Sequence, residues 1–427
     1  MEKILRTLER LIPKKVYRFL QPVYHFLLAV VGTLIYRFPS RKIFVIGVTG
    51  TKGKSSTVEF INAVLSASGK KTAILSTIRF KVGENSHPNK YKMTMPGRFF
   101  TQKFLREAVD AGCDYAIVEM TSEGARFFRH TGIHLDALVF TNLSPEHIES
   151  HGSFAKYKQA KLRLAKHLSK SKKPIRMSIA NTDNEHAYSF LLYPIEKNIG
   201  YSLSHVHILS EDEYKSTIVY HDQEITIPLP GKFNISNAIA ALTLSNELGL
   251  PLQDAKKGIE ELSLIRGRVE RVNAGQDFSV IVDYAHTDDS LRKLYEAFPT
   301  SRKIAVLGST GGGRDSWKRP VLGKIADEYA DEIILTDEDS YDEDPMKIIN
   351  EVASGVEKHT PHIIIDRREA IAKALSFART GDTVLITGKG TDPYIMGPHG
   401  TKVEWDDATV AREEIERIVS SNVVNSE

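Results

Sequence analysis

Ile43-Phe-Val-Ile-Gly-Val-Thr-Gly-Thr-Lys-Gly-Lys-Ser-Ser56 changes character halfway along. Its first part, Ile43 to Val48, is an apolar run of the length of a buried strand. Its second part, Thr49-Gly50-Thr51-Lys52-Gly53-Lys54-Ser55-Ser56, is a glycine-rich turn, and a helical stretch follows through Val58 to Ser66. Strand, turn and helix N-terminus in that order give a phosphate-loop match its meaning. The glycines let backbone N–H groups curl inward around anionic oxygens, and the helix terminus adds partial positive charge. In such a loop Lys54 neutralises charge on the β- and γ-phosphates and the Ser55 hydroxyl ligates Mg²⁺. The stretch departs from GxxxxGK[ST], because Val48 stands where the first glycine would be. The competing reading is a tight turn that carries a lysine.

Working outward, short apolar runs alternate with helical stretches. Strands are expected at Thr72–Leu75, Tyr115–Val118, Ala137–Phe140 and Ile175–Ala180, and helices at Gln102–Ala111 and Phe154–Leu168. This alternation predicts a mostly parallel sheet with helices on both faces. From Ile199 to Pro230 the pattern shortens, and His207–Leu209, Ser216–Tyr220 and Glu224–Ile227 read as a small antiparallel addition. A helix over Asn234–Leu248, closed by Gly249, and a linker near Ser263–Arg268 come next. A second alternating block has strands at Val280–Val282, Lys303–Leu307, Glu332–Leu335, His362–Ile365 and Thr383–Ile386, and a final helix at Thr409–Ser420. The fold class is therefore α/β: a central phosphate-loop domain over 41–265 and a Rossmann-like C-terminal domain over 266–427, after a helical segment 1–40.

Length and composition agree. At roughly 100–200 residues per domain, 427 residues allow two or three domains. The net charge of +3 is small for this length and asks for no nucleic-acid partner. One cysteine, Cys113, leaves no intrachain disulfide to form and fits a reducing, cytoplasmic compartment. Residues 19–38 are rich in Leu, Val, Tyr and Phe and are flanked by Lys14, Lys15, Arg18, Arg37, Arg41 and Lys42. The most apolar part, Phe26–Ile35, is shorter than the ~20 residues that span a bilayer. Two readings stay open: a helix or two packed on the next domain, or an interfacial anchor making peripheral membrane contact.

Beyond the loop, Glu119 ends an apolar strand, where a carboxylate can hold a metal against a triphosphate. The alternative is a solvated strand-end Glu. His147, in Phe140-Thr-Asn-Leu-Ser-Pro-Glu-His147, is a candidate ligand for a second metal, although a lone loop histidine is more often structural. Lys161 lies on a helix with Lys156, Lys158 and Lys166 and reads by default as part of a basic solvated face.

Taken together, these segments resemble the Mur ligase superfamily, most closely the UDP-N-acetylmuramoyl-dipeptide ligases that add a third residue. The resemblance runs from Ile43 to near the C-terminus. It is carried in order by residues 50–56, Thr94-Met-Pro96, Glu119-Met-Thr121-Ser122, Thr141-Asn-Leu-Ser-Pro-Glu-His147, His151-Gly152 and Lys161. Then come Gly231-Lys-Phe-Asn234-Ile-Ser-Asn237, Gly267-Arg268-Val-Glu270-Arg271, Asp283-Tyr-Ala-His286 and Gly388-Lys389-Gly390. The resemblance implies an ATP-dependent ligase that activates a carboxylate as an acyl phosphate and joins it to an amine. By it, Gly50, Thr51, Lys52, Gly53, Lys54, Ser55 and Ser56 bind the phosphates. Ser55 and Glu119 hold a first Mg²⁺, His147 helps hold a second, and Lys161 stands where the family carries a carbamylated lysine. Asn234 and Asn237 lie near the nucleotide, Arg268 and Asp283 reach γ-phosphate and ribose, and His286 lies nearby. Thr94, Pro96, Thr121, Ser122, Arg314, Asp337, Asp339, Lys389 and Asp392 fall on substrate-side segments. The implied substrates are a nucleotide-sugar peptide or similar acceptor and an amino acid, handled by a monomer.

The chain departs from that pattern in two places. The phosphate loop comes so early that no room is left for the UDP-sugar domain that muramoyl ligases begin with, as in folylpolyglutamate synthases of the same superfamily. A lipid-linked acceptor is a further alternative. And where the diaminopimelate-adding members carry Asp-Asn-Pro-Arg, this chain has Asp337-Glu-Asp339-Ser-Tyr-Asp342, with no arginine to fork onto a carboxylate. That acidic run reads either as a pocket for a cationic amino acid or as a solvated loop.

Overall fold

The computed structural model describes residues 14–424, apart from His147 and Arg314. The readings placed on those two residues, and on 1–13, lie outside the described residues. The chain divides into two compact units. One takes the residues up to Ser144 with Phe154–Tyr201 and Leu242–Pro251, and the other takes Pro145–Ser153, Ser202–Ala241 and Leu252 onward.

The first unit holds an eight-stranded sheet in the order β4-β3-β2-β5-β1-β6-β7-β8. Its strands are β1 (Phe44–Thr49), β2 (Thr72–Leu75), β3 (Arg79–Val82), β4 (Asn85–Pro88), β5 (Tyr115–Glu119), β6 (Ala137–Phe140), β7 (Met177–Asn181) and β8 (Lys197–Tyr201). Its main helices are α1 (Lys14–Ile35), α2 (Lys54–Ala67), α3 (Arg98–Asp110), α4 (Ser122–Arg126) and α5 (Phe154–Ser169). The central strands pair in parallel, and β2-β3-β4 form an antiparallel edge. Their continuous apolar runs follow from burial on both faces. Val45, Ala73, Leu75, Ala116, Val118, Leu138 and Phe140 join one core cluster, while their neighbours Ile46, Ile74, Ile117 and Val139 are buried on the other side.

The second unit contains an antiparallel sheet, β11-β10-β9 (β9 His207–Glu211, β10 Ser216–Tyr220, β11 Gln223–Ile227), and a six-stranded sheet, β12-β13-β17-β14-β15-β16. The latter joins β12 (Glu270–Arg271), β13 (Ser279–Asp283), β14 (Lys303–Leu307), β15 (Glu332–Leu335), β16 (His362–Ile363) and β17 (Thr383–Thr387). Only β12 runs antiparallel in it. Ile281, Ala305 and Leu385 belong to the core on one face, and Val280, Val282, Ile304 and Val384 to the core on the other. The helix α6 (Lys232–Glu247) is divided between the units after Ala241. The longer helices that follow are α7 (Leu252–Glu260), α8 (Asp288–Glu296), α9 (Lys318–Tyr329), α10 (Pro345–Ala353), α11 (Arg367–Phe377) and α12 (Asp407–Val424). A hairpin β18 (Tyr394–Met396)–β19 (Lys402–Glu404) precedes the last of them.

The expected α/β class and the small antiparallel addition hold. Several elements differ from the sequence reading. α2 starts at Lys54, not near Val58, because the phosphate loop feeds the helix directly. The β3–β4 hairpin was not expected, since Asn85-Ser-His-Pro88 is fully exposed and carries no apolar alternation. β16 spans two residues where four were expected. Among the described residues, no helix is long and apolar enough to cross a membrane.

Candidate active site

Register in the first sheet brings the loop and its partners together. Val48 pairs with Glu119, Thr49 with Phe140 and Leu75 with Val118. The residues that continue beyond these carboxyl ends are therefore neighbours: Gly50–Ser55 after β1, Ser76–Thr77 after β2, and Thr141–Asn142 after β6.

Gly50 can occupy the start of the loop only as glycine. Its φ is +155°, and a Cβ there would lie 1.9 Å from Thr141 Oγ1. The loop is tied to the strand end beside it. Thr51 N donates to Asn142 O (2.8 Å), Lys52 N to Asn142 Oδ1 (2.9 Å), and Thr141 Oγ1 to Lys52 O (2.6 Å). Gly53 caps α2 in a left-handed conformation and offers no side-chain cap to the helix. A helix N-terminus that follows a glycine turn is a place where an anion binds. Lys54 Nζ donates to Thr51 O at 2.8 Å, folded back along the loop. Ser55 and Ser56 are buried behind it.

Glu119 is 1 % exposed, so it is not a solvated strand end. Its Oε2 accepts from the Ser55 hydroxyl at 2.9 Å and from Thr77 N at 2.8 Å. Thr77 Oγ1 lies 2.8 Å from Thr94 Oγ1. Thr121 caps α4 by accepting from Gly124 N at 3.0 Å, Ser122 is buried, and Pro96 O accepts from Thr101 Oγ1 at 3.5 Å. Lys161 is 2 % exposed and donates to Gly50 O at 2.6 Å, with its nitrogen 4.9 Å from the centroid of Tyr157. Lys161 thus lies inside, against the loop, and not on the solvated face that was its default reading.

This donor set suits a hard divalent cation. Among the described residues no group of three His, Cys, Asp or Glu side chains gathers. Mg²⁺ takes one or two carboxylates and completes its shell with phosphates and water. A buried carboxylate and a hydroxyl beside a phosphate loop meet that requirement.

In the second unit, register aligns Asp283 with Thr387 and Leu307 with Leu335, so Gly388–Lys389 follows beside Asp283 and the Gly308 turn lies beside Thr336–Asp339. Asp283 accepts from Val269 N (2.8 Å) and Ala285 N (2.7 Å). Arg268 lies over the Tyr284 ring at 4.6 Å. His286 places Nδ1 2.7 Å from Tyr284 O and Nε2 3.3 Å from Glu146 Oε1. Burial, helped by Asp392, Glu338 and Glu146, pushes the Tyr284 hydroxyl well above the ordinary phenol range. Asn234 Nδ2 donates to Pro230 O at 2.8 Å, and Asn237 is buried.

The acidic run is only partly a loop on the surface. Glu338, Asp339 and Ser340 are buried. Lys389 is fully buried and pairs with Asp339 at 2.9 Å and Asp392 at 3.4 Å, and it donates to Tyr394 O at 2.6 Å. Glu338 Oε1 accepts from Thr310 Oγ1, while its buried Oε2 has no hydrogen-bond partner and faces the Gly388 turn. Burial chiefly, with Asp339 and Glu338, holds the Asp337 carboxyl above its ordinary value. The sequence reading gave Thr77 no role and singled out Asp337 and Asp339, not Glu338, from the acidic run. Thr77 follows the carboxyl end of β2, the position where functional groups collect in such sheets. Glu338 was hidden in a run of acids.

Two family models match the chain: Mur ligase middle domain over residues 48–245, and Mur ligase, glutamate ligase domain over residues 267–390. A UDP-N-acetylmuramyl-tripeptide synthetase of Roseiflexus sp. (strain RS-1) is 36 % identical over 414 residues, covering 90 % of this chain and 81 % of that protein. A UDP-N-acetylmuramoyl-L-alanyl-D-glutamate–2,6-diaminopimelate ligase of Bacillus velezensis is 34 % identical, covering 90 % and 80 %. Among solved structures, one of a ligase with that same name superposes with a TM-score of 0.59 at 29 % identity, covering 88 % of this chain and 79 % of that one. The Mycobacterium tuberculosis folylpolyglutamate synthase complexed with ADP reaches 0.68 at 17 % identity, covering 86 % and 92 %, a likeness of fold alone.

Proposed function

From the premise that this chain belongs to the Mur ligase family, ATP-dependent enzymes that form carbon–nitrogen bonds, we propose that it adds an amino acid to a UDP-N-acetylmuramoyl-peptide or related peptidoglycan precursor. The observation that carries this reading is the buried Glu119 carboxylate holding the Ser55 hydroxyl at 2.9 Å directly behind the phosphate loop.

The reaction balances as two displacements. A carboxylate oxygen of the acceptor attacks the γ-phosphorus of ATP, and ADP leaves. The amine nitrogen of the amino acid then attacks the acyl carbon, inorganic phosphate leaves, and the nitrogen gives up a proton. The first step sets anion against anion. Lys54 and the loop N–H groups offset that repulsion and stabilise the transferring phosphoryl group. Mg²⁺, when held by Ser55 and Glu119, supplies further charge neutralisation. Lys161 adds a metal-directed carboxylate if its amine takes up CO₂ as a carbamate. Its burial against Gly50 supports a role at the loop. We assign His147 to a second metal, Asn234, Asn237, Arg268, Asp283 and His286 to the nucleotide, and Thr94, Pro96, Thr121, Ser122 and Arg314 to the acceptor side. The acidic pocket takes the amino acid: Glu338 Oε2 is its acceptor for a cationic group, with Asp337 beside it. Asp339 and Asp392, paired with Lys389, shape that pocket. The enzyme acts as a monomer in the cytoplasm.

The test is phosphate release from ATP and Mg²⁺, with UDP-muramoyl-dipeptide and single amino acids supplied in turn, then with folate-type acceptors. Release with the muramoyl acceptor and a cationic amino acid is the expected result. Release with the folate set alone overturns the cell-wall reading. ATP binding without any substrate-dependent release points to a nucleotide-binding scaffold.

A further inference from the structure

The helix α1 has apolar residues on both of its sides. Its inner side is built into the first unit. Ala29 and Thr33 are buried, and Gly132 makes room for Thr33, since a Cβ there would meet Thr33 Oγ1 at 1.9 Å. His25 and Phe26 set ring edges against Phe127 and Phe128 at 5.3 and 6.0 Å. The opposite side is apolar too and is open: Tyr24, Leu27, Val31, Leu34 and Ile35 are 40 to 59 % exposed. Their spacing of 3, 4 and 3, with Ile35 alongside, makes a continuous stripe. A helix apolar all round is normally covered all round.

Charge identifies the cover. From Lys14 to Lys42 the sequence holds six lysines and arginines and no aspartate or glutamate. Arg37, Arg41 and Lys42 are exposed just past the end of the stripe. A partner helix of protein is usually selected by charges of both signs flanking the seam. Here the flanks are uncharged, and the cations sit at the ends. A helix lying in a lipid interface has this arrangement: an apolar stripe sunk among acyl chains, aromatic rings at headgroup depth and cations facing anionic lipid. We propose that the outer side of α1, with Arg37, Arg41 and Lys42, docks this protein on an anionic membrane surface without spanning it.

The test uses the full chain and sedimentation with vesicles of phosphatidylcholine mixed equally with phosphatidylglycerol, beside vesicles of phosphatidylcholine alone. The expected result is binding to the mixed vesicles that falls about tenfold or more without the anionic lipid and weakens as salt rises. Leu34→Ser with Ile35→Ser removes two exposed anchors and lowers vesicle affinity about tenfold or more. Its thermal midpoint and its ATP turnover stay at wild-type values, because neither residue packs in the core. Arg37→Glu with Arg41→Glu lowers affinity for mixed vesicles alone. The proposal is overturned if the wild type stays in the supernatant with anionic vesicles. It is equally overturned if light scattering shows a dimer that the Leu34/Ile35 pair of substitutions dissolves, since a second copy would then be the cover.

Discussion

Glu119 ties the helix after the loop to the end of β2, because one oxygen receives both Ser55 and Thr77. Glu119→Gln keeps the shape and removes the charge. It is expected to lower turnover at least about a hundredfold and to weaken the Mg²⁺ dependence of ATP binding, read by titrating Mg²⁺ against a fluorescent nucleotide. Unchanged Mg²⁺ dependence would falsify the metal role. Lys161→Ala is expected to lose nearly all turnover, and bicarbonate will not restore it because no amine remains to take up CO₂. Normal activity in that variant removes the carbamate from the mechanism. Lys161 also shows how far the sequence was legible at this scale. Four lysines on α5 suggested a solvated face, yet Tyr157, Lys161, Leu164, Ala165 and Leu168 share one buried stripe, with Lys156 and Lys166 exposed off it. The helical period held the answer, but charge concealed it, since a lysine on an apolar stripe counts as a break in the pattern until something is known to meet it.

Among the elements, the strands were legible where burial on both faces writes a continuous apolar run, as in β2, β6, β14 and β15, whose bounds match the expectation residue for residue. The short hairpin β18–β19 was not, because it is held by a tertiary contact. Asp339 accepts from Met396 N at 2.8 Å and from Lys389 at 2.9 Å, and Lys389 donates to Tyr394 O. Lys389→Ala leaves Asp339 and Asp392 facing each other without their cation. Breaking a buried pair in this way costs about 3–5 kcal/mol. The expected outcome is a fall of that size in denaturant stability, with faster proteolysis in residues 394–404. A change below 1 kcal/mol would show the pair to be incidental. At the start of α11, Asp366 accepts from Glu369 N at 3.0 Å, and Asp366→Ala should remove about 1 kcal/mol by the same measurement.

For the molecule as a whole, each unit has its own sheet and core, and the first has an acid-sensitive point. Burial, with His167 and Arg163 adding, lowers the His130 pKa from 6.5 to about 3. The folded form keeps the ring neutral, whereas the unfolded chain takes up a proton first as pH falls. The stabilisation is complete above about pH 6.5 and is lost progressively from there toward about pH 3. His130→Phe should therefore lose less of its thermal midpoint than wild type between pH 7.5 and 5.5. Equal losses would show that the ring's burial does not matter to acid stability. The sequence alone determined the phosphate loop, the α/β alternation and the family, because glycine at a strand–helix junction and apolar periodicity are local constraints that survive without the fold. Only the tertiary structure decided that Glu119 and Lys161 turn inward, that Thr77 joins them, that Lys389 is paired and that one side of α1 stays open. Those outcomes depend on strand register and on which surfaces meet, and neither is written in any single stretch of chain.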